Sequence, residues 1–205
     1  KLILDIFDFF TQQKILKALK KKIYGEKIKI FIDVGSHKGE YISSLRSKFS
    51  IDEIFGFEPN PNVYEILEKK FSDPKIKLFN LGISDKSGII ELNKNLDSSS
   101  SSINNLNTNS TYYKKKYFLL NIFNLKEVTK KIEINVIRLD EFIKKNKIEK
   151  IDLVKIDTEG FEFRVLKSIG DKIKNINIIH FEHHFDDMII KNYNLSDIHN
   201  YLLNK

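Results

Sequence analysis

Apolar residues between Leu2 and Ile23, namely Ile3, Ile6, Phe7, Phe10, Ile15, Leu19 and Ile23, fall mostly at helical spacing. Lysines gather toward the end of that stretch, where they complement the helix dipole. The pattern predicts an amphipathic helix over residues 1–28, packed on a domain of residues 29–205. Short β-branched and aromatic runs then alternate with helical patterns: "KIFIDVG", "GEYISSLRSKF", "EIFGFEP", "NVYEILEKKF" and "KIKLFNLGI". Such β-α-β-α-β order implies a parallel sheet with crossover helices. A "DKSG" turn leads to "IIELNKN", a further strand. The polar tract "LDSSSSSINNLNTNS", Leu96 to Ser110, has no periodicity and reads as a loop. Pattern resumes with "EINVIRLDEFIKKN", a strand turning into a short helix, and "KIDLVKID", a strand buried on both faces. "FEFRVLKSI" reads as a helix, "INIIHFEHH" as a strand, and "LSDIHNYLLNK" as a last helix with Ser196 as its cap. The whole is an α/β chain with a doubly wound, mostly parallel sheet and flanking helices.

Composition narrows the function. A chain of 205 residues with 41% hydrophobic content suffices for one substantial core. Cysteine is absent, which excludes disulfide scaffolds, cysteine zinc sites and thiol nucleophiles, and fits a reducing, cytoplasmic compartment. No apolar run approaches the roughly 20 residues that cross a bilayer. The chain begins with Lys1 and ends on "YLLNK" with helical periodicity still running, so a longer parent protein is expected. The net charge of +7 invites an anionic partner, but Arg occurs only at Arg46, Arg138 and Arg164. Bidentate phosphate recognition favours Arg. The spread lysines therefore read as compositional bias, and nucleic acid is disfavoured as a partner.

In an open α/β sheet, ligands bind beyond the carboxyl ends of the strands, near the switch in strand order. The residues there are "DVGSHKGE" with Asp33, Gly35 and Gly39; "FEPNP" with Glu58; "NLGISD" with Asp85; Asp157; and Glu182 with His183 and His184. The glycine turn is G-x-x-x-G and lacks the middle glycine of the dinucleotide fingerprint G-x-G-x-x-G. Phosphates would also meet Asp33 and Asp157 without a compensating Arg. A cationic ligand such as S-adenosylmethionine, which carries a sulfonium and an ammonium, suits the acids better. Glu58 lies at the spacing where a ribose-binding acid is expected.

Together "FIDVGSHKGEY", "IFGFEPNPNVYEIL", "LDEF" and "IDLVKIDTEGFEFRVLKSI" resemble the FkbM family of S-adenosylmethionine-dependent methyltransferases over about Lys29 to Glu182. The resemblance implies a class I methyltransferase (Rossmann-like) fold, a seven-stranded sheet with an antiparallel last strand, and O-methylation of hydroxyls on sugars or natural products. It places the cofactor turn on Asp33, Gly35 and Gly39, with Ser36 in place of the commoner alanine. The ribose acid falls on Glu58, followed by Pro59, and the adenine-side segment on Leu81 to Asp85, which contains Gly82 and Ser84.

Methyl transfer from a sulfonium is an in-line displacement that needs alignment and a dry site, together with a base for an alcohol acceptor. Asp157 is the candidate base or positioning group and faces the cofactor. His180 and His184 are further catalytic candidates because they titrate nearest neutrality. Strand alternation puts His180, Glu182 and His184 on one face and His183 on the other. Asp157, Glu159 and Glu182 could hold a divalent metal, the minority alternative. Glu159 and Glu162 have a simpler reading as acids at a helix start. Two other classes stay open: a nicotinamide-dependent oxidoreductase on a similar sheet, and a non-enzymatic module that binds polyanions. The expected partner is a small-molecule or glycan acceptor.

Overall fold

The computed structural model describes residues 2–94, 103–104, 107–111, 113–114, 130–183, 185 and 187–205. Most of the serine-rich tract, most of the following "TYYKKKYFLLNIFNL" segment and His184 lie outside them.

The helices are α1 (Leu2–Lys22), α2 (Glu40–Arg46), α3 (Pro61–Lys70), α4 (Leu139–Lys145), α5 (Glu162–Ile169) and α6 (Leu195–Leu203). The strands are β1 (Lys27–Val34), β2 (Ser50–Phe57), β3 (Ile76–Phe79), β4 (Gly82–Ile83), β5 (Gly88–Lys94), β6 (Lys130–Ile137), β7 (Ile151–Ile156) and β8 (Ile176–Phe181). Five of them form the main sheet in the order β3-β2-β1-β7-β8, and every pairing in it is parallel. The chain moves outward from β1 to β3 and then returns to the other side of β1, so the order reverses between β1 and β7. That reversal opens a crevice at the carboxyl ends of the central strands.

Alternation of side chains along the strands divides the core in two. On one face Phe31, Ile54, Leu153 and Ile178 pack with Leu16 and Leu19 of α1 and with Tyr41, Ile42 and Leu45 of α2. On the other, Ile32, Phe55, Phe57, Val154 and Ile156 pack with α4, α5 and Ile198 of α6. Phe57 stacks on Phe79 at 5.2 Å and meets the edge of Phe142 at 4.9 Å, so this face is knitted by rings as well as area.

The sequence-predicted elements differ from those observed at several points. The helix placed over residues 1–28 ends at Lys22, with β1 starting at Lys27, and the strand read from "INIIHFEHH" ends at Phe181. "KIKLFNLGI" is two strands: β3 ends at Phe79, and β4 joins a small sheet of order β4-β6-β5 in which β4 and β6 are parallel and β5 is antiparallel. The break falls where Asn80 turns its side-chain amide onto the carbonyls of Glu58 (2.9 Å) and Pro59 (3.1 Å). The seven-stranded sheet with an antiparallel last strand is not found: the main sheet of the described residues has five parallel strands. The cap of α6 is Asn194, which forms a reciprocal capping box with Asp197, and Ser196 lies inside the helix.

Phe57 is fully buried between Phe79 and Phe142. Phe57→Ala is expected to cost about 3–5 kcal/mol of folding stability, read as a lower urea midpoint at unchanged slope.

Candidate active site

The site is a product of strand register. Gly56, Asp33, Lys155 and His180 are Cα partners in one row across β2, β1, β7 and β8. The same-face row two residues earlier is Ile54, Phe31, Leu153 and Ile178, all in one apolar cluster. One face of the sheet therefore changes from apolar to charged at its carboxyl end. The ladder then runs one residue past the strands: Glu58 N donates to Phe79 O (3.1 Å), Gly35 N to Phe57 O (3.0 Å), Asp157 N to Val34 O (3.0 Å) and Glu182 N to Ile156 O (3.0 Å). Glu58, Gly35, Asp157 and Glu182 thus form the rung that closes the crevice.

Lys155 lies at the centre of the charged row. It is 6% exposed, and its Nζ donates to Gly35 O at 2.9 Å while standing 3.4 Å from Asp33 Oδ1 and 3.3 Å from Asp157 Oδ2. Burial alone would pull the ammonium down, but the charges of Asp33 and then Asp157 outweigh it and hold Lys155 above its ordinary range. Asp33 is fully buried, and neither carboxylate oxygen has a hydrogen bond in addition to the ion pair. Burial pushes Asp33 up, against the pull of Lys155. One ammonium thus lies between two carboxylates. Tyr41 covers it: its ring lies 5.6 Å from Lys155 Nζ, and its hydroxyl is hydrogen-bonded to His180 Nδ1 at 3.0 Å. Burial and then Lys155 pull His180 below its ordinary range, so the ring is neutral.

The glycine turn is shaped by what it touches. At Gly35 (φ 79°) a Cβ would stand 1.9 Å from the Asp157 carbonyl, so only glycine lets the turn lie against β7. The space beside Gly39 is filled by Leu67 and Phe71, which makes that glycine a packing requirement. Ser36 is buried and bonds the Asp33 carbonyl at 3.0 Å. Glu58 pins the turn, with Oε2 accepting from His37 N and Oε1 from Asn60 N, both at 2.9 Å. Burial raises its carboxyl, and these two amides oppose the rise.

Other sequence candidates sit further out. Gly82 packs on Val136 with Pro59 nearby, and Ser84 N donates to Ile137 O at 3.0 Å. Asp85 is engaged from the α4 and α5 side: its carbonyl accepts from Arg138 Nη1 at 2.7 Å, and its carboxylate lies 3.8 Å from Arg164. Glu162 is more than a helix-start acid. Its Oε1 accepts from Thr158 N, Thr158 Oγ1 and Gly160 N, and its Oε2 accepts the Tyr193 hydroxyl at 2.6 Å. It fixes the loop after Asp157 from below. Glu159 occupies that loop at φ 50°. Among the described residues no group of three or more His, Asp or Glu is placed to hold a metal ion. His183 turns to the rings of Phe185 (4.9 Å) and Tyr193 (6.2 Å). Sequence reasoning missed Lys155, Tyr41 and Tyr193; the available signal was a lysine inside the otherwise apolar "IDLVKID".

Comparison with known proteins follows the same line. The family model described as the methyltransferase FkbM domain matches residues 33–205. The hexuronic acid methyltransferase AglP of Haloferax volcanii is 25% identical over 181 residues, covering 87% of this chain and 65% of that protein. The crystal structure of methyltransferase FkbM from Methylobacillus flagellatus KT superposes with a TM-score of 0.54 at 16% identity, over 87% of this chain and 37% of that one. The chain thus spans less than two thirds of the length of either.

Removing the ammonium leaves two carboxylates facing each other, one of them fully buried. Lys155→Met is expected to cost about 3–5 kcal/mol. The double variant Lys155→Met/Asp33→Leu is expected to regain much of that in urea denaturation, because the uncompensated buried charge goes with its partner.

Proposed function

The chain belongs to the FkbM methyltransferase family, and from that premise we propose that it is an S-adenosylmethionine-dependent O-methyltransferase acting on a hydroxyl of a sugar or glycan. The observation that carries the cofactor assignment is the fully buried Asp33, whose two carboxylate oxygens lack hydrogen bonds among the described residues. S-Adenosylmethionine has two cationic groups and one carboxylate, so its net charge is opposite in sign to that of the Asp33 carboxylate. Asp33 and the Gly35 turn would face the methionine part. Glu58 would take the ribose hydroxyls, since each of its oxygens accepts one backbone amide and has a lone pair to spare. The side-chain amide nitrogen of Asn60, buried beside Glu58 without a hydrogen bond, is a further donor there. When bound, the cofactor supplies an electrophilic methyl group; the protein's own part is to align the acceptor, exclude water and move one proton.

The nicotinamide reading fits less well, because a pyrophosphate would approach the buried carboxylates Asp33 and Glu58. The small sheet and the loop through Glu159 would border the acceptor. The name of the Haloferax relative, a hexuronic acid methyltransferase, supports a sugar acceptor. Among the described residues no helix is long and apolar enough to cross a membrane.

Calorimetric and thermal titration test the reading. S-Adenosylmethionine and its demethylated product are expected to bind and raise the melting temperature, by an amount corresponding to about 2.7 kcal/mol at 100-fold excess over Kd. Asp33→Ala and Glu58→Ala, folded by circular dichroism, are expected to abolish the shift, and NAD and NADP to give none. A saturating titration without response to either adenosyl ligand would sink the assignment.

A further inference from the structure

The pairing of β7 with β8 matches Lys155 to His180 and Ile156 to Phe181, so the next residues, Asp157 and Glu182, fall opposite each other. The amide of Glu182 donates to Ile156 O at 3.0 Å and holds that register beyond the strand. Neighbouring strands are roughly 4.8 Å apart, close enough for the two carboxyl groups to interact. Two carboxylates this close repel, which favours a proton on one of them.

The surroundings decide which. Lys155 Nζ, 3.3 Å from Asp157 Oδ2, favours an ionised Asp157. Glu182 faces the negative charges of Asp157 and Glu162, with Lys155 the weaker, opposing influence, and its strand neighbour His180 is neutral. Of the two, Glu182 is therefore the one on which a proton is favoured.

Resting on the methyltransferase reading, we propose that Glu182 is the general base that takes the acceptor hydroxyl's proton, with Asp157, held by Lys155, as the neighbour that positions it. Partial desolvation, then Asp157 and Glu162, push Glu182 up to about 7, so the pair loses its proton near neutrality and the base becomes available there. In the reaction the hydroxyl oxygen forms its bond to the methyl carbon as the carbon–sulfur pair leaves with sulfur, and the O–H proton passes to the Glu182 carboxylate. Glu182 is exposed, so it returns the proton to water. The division of labour gives Lys155 a catalytic consequence without contact with substrate: it keeps the proton off Asp157.

Glutamate carboxyl carbons labelled with ¹³C report this without cofactor or acceptor. One resonance is expected to titrate near pH 7, to vanish in Glu182→Gln, and to move toward the ordinary glutamate value of about 4.3 in Asp157→Asn. The proposal is overturned if every glutamate titrates in the ordinary range, or if Asp157→Asn leaves the near-neutral resonance in place. With labelled S-adenosylmethionine and hexuronic acid glycosides as probe acceptors, Glu182→Gln is expected to lower kcat about 10²–10⁴-fold. It should do so with unchanged cofactor Kd and with loss of the acid limb of the pH profile. Wild-type turnover in that variant overturns the proposal. Failure of the unsubstituted protein to bind S-adenosylmethionine removes the methyltransferase reading instead, and leaves the carboxyl titration as it was.

Discussion

A single buried ammonium organises the carboxyl end of the sheet. Lys155 reaches the glycine-turn carbonyl, the last acid of β1 and the first acid after its own strand, which are three different local elements. Burying an ion from water costs several kcal/mol, and the charge is tolerable here only because carboxylates and a carbonyl replace the water. Those carboxylates are in turn tolerable because of the lysine. The cluster is thus mutually dependent, and it fixes the geometry of β1 against β7 at the switch in strand order. A purely apolar row would hold the strands as well, but would leave nothing with which to recognise a cation.

Parallel register converts this local device into an extended site. In a parallel ladder each strand delivers its next residue to the same level, so one row of Gly56, Asp33, Lys155 and His180 implies a second of Glu58, Gly35, Asp157 and Glu182 two residues on. The members of that rung differ in what holds them. Glu58 is fixed by two loop amides, Gly35 by the absence of a side chain against the Asp157 carbonyl, and Asp157 by Lys155. Glu182 is held by its backbone amide, and it is open to water.

Much of this was legible in the sequence because strand ends carry local marks. The "DVG" and "FEP" turns, each closing an apolar run, located Asp33, Gly35 and Glu58, and the alternation of strand and helix patterns located the parallel sheet. What stayed hidden was non-local. Lys155 in "IDLVKID" could as well have faced solvent; its burial depends on β1 being the neighbour that brings Asp33 alongside. The role of Glu162 depends on Tyr193, 31 residues later, and on loop amides whose orientation no periodicity encodes. The break after Phe79 coincides with a one-residue slip in the alternation of "KIKLFNLGI", from Ile76 and Leu78 to Phe79, Leu81 and Ile83, and with the contacts of the Asn80 amide to the Glu58 and Pro59 carbonyls, which no periodicity encodes.

The acids of "KIDTEGFE" show why composition at a strand end is a poor guide to role. Asp157 shares the cluster of Lys155, while Glu162, fully buried, spends both oxygens on the loop and on Tyr193. An acid saturated by donors serves as a structural clamp, whereas an acid whose neighbours are other acids is pushed to hold its proton longer. By that criterion the titrating group is Glu182, from another strand, and its own sequence neighbours do not identify it. Chemistry at this site is assigned by what each carboxylate faces across the sheet, and the facing residue is chosen by strand order.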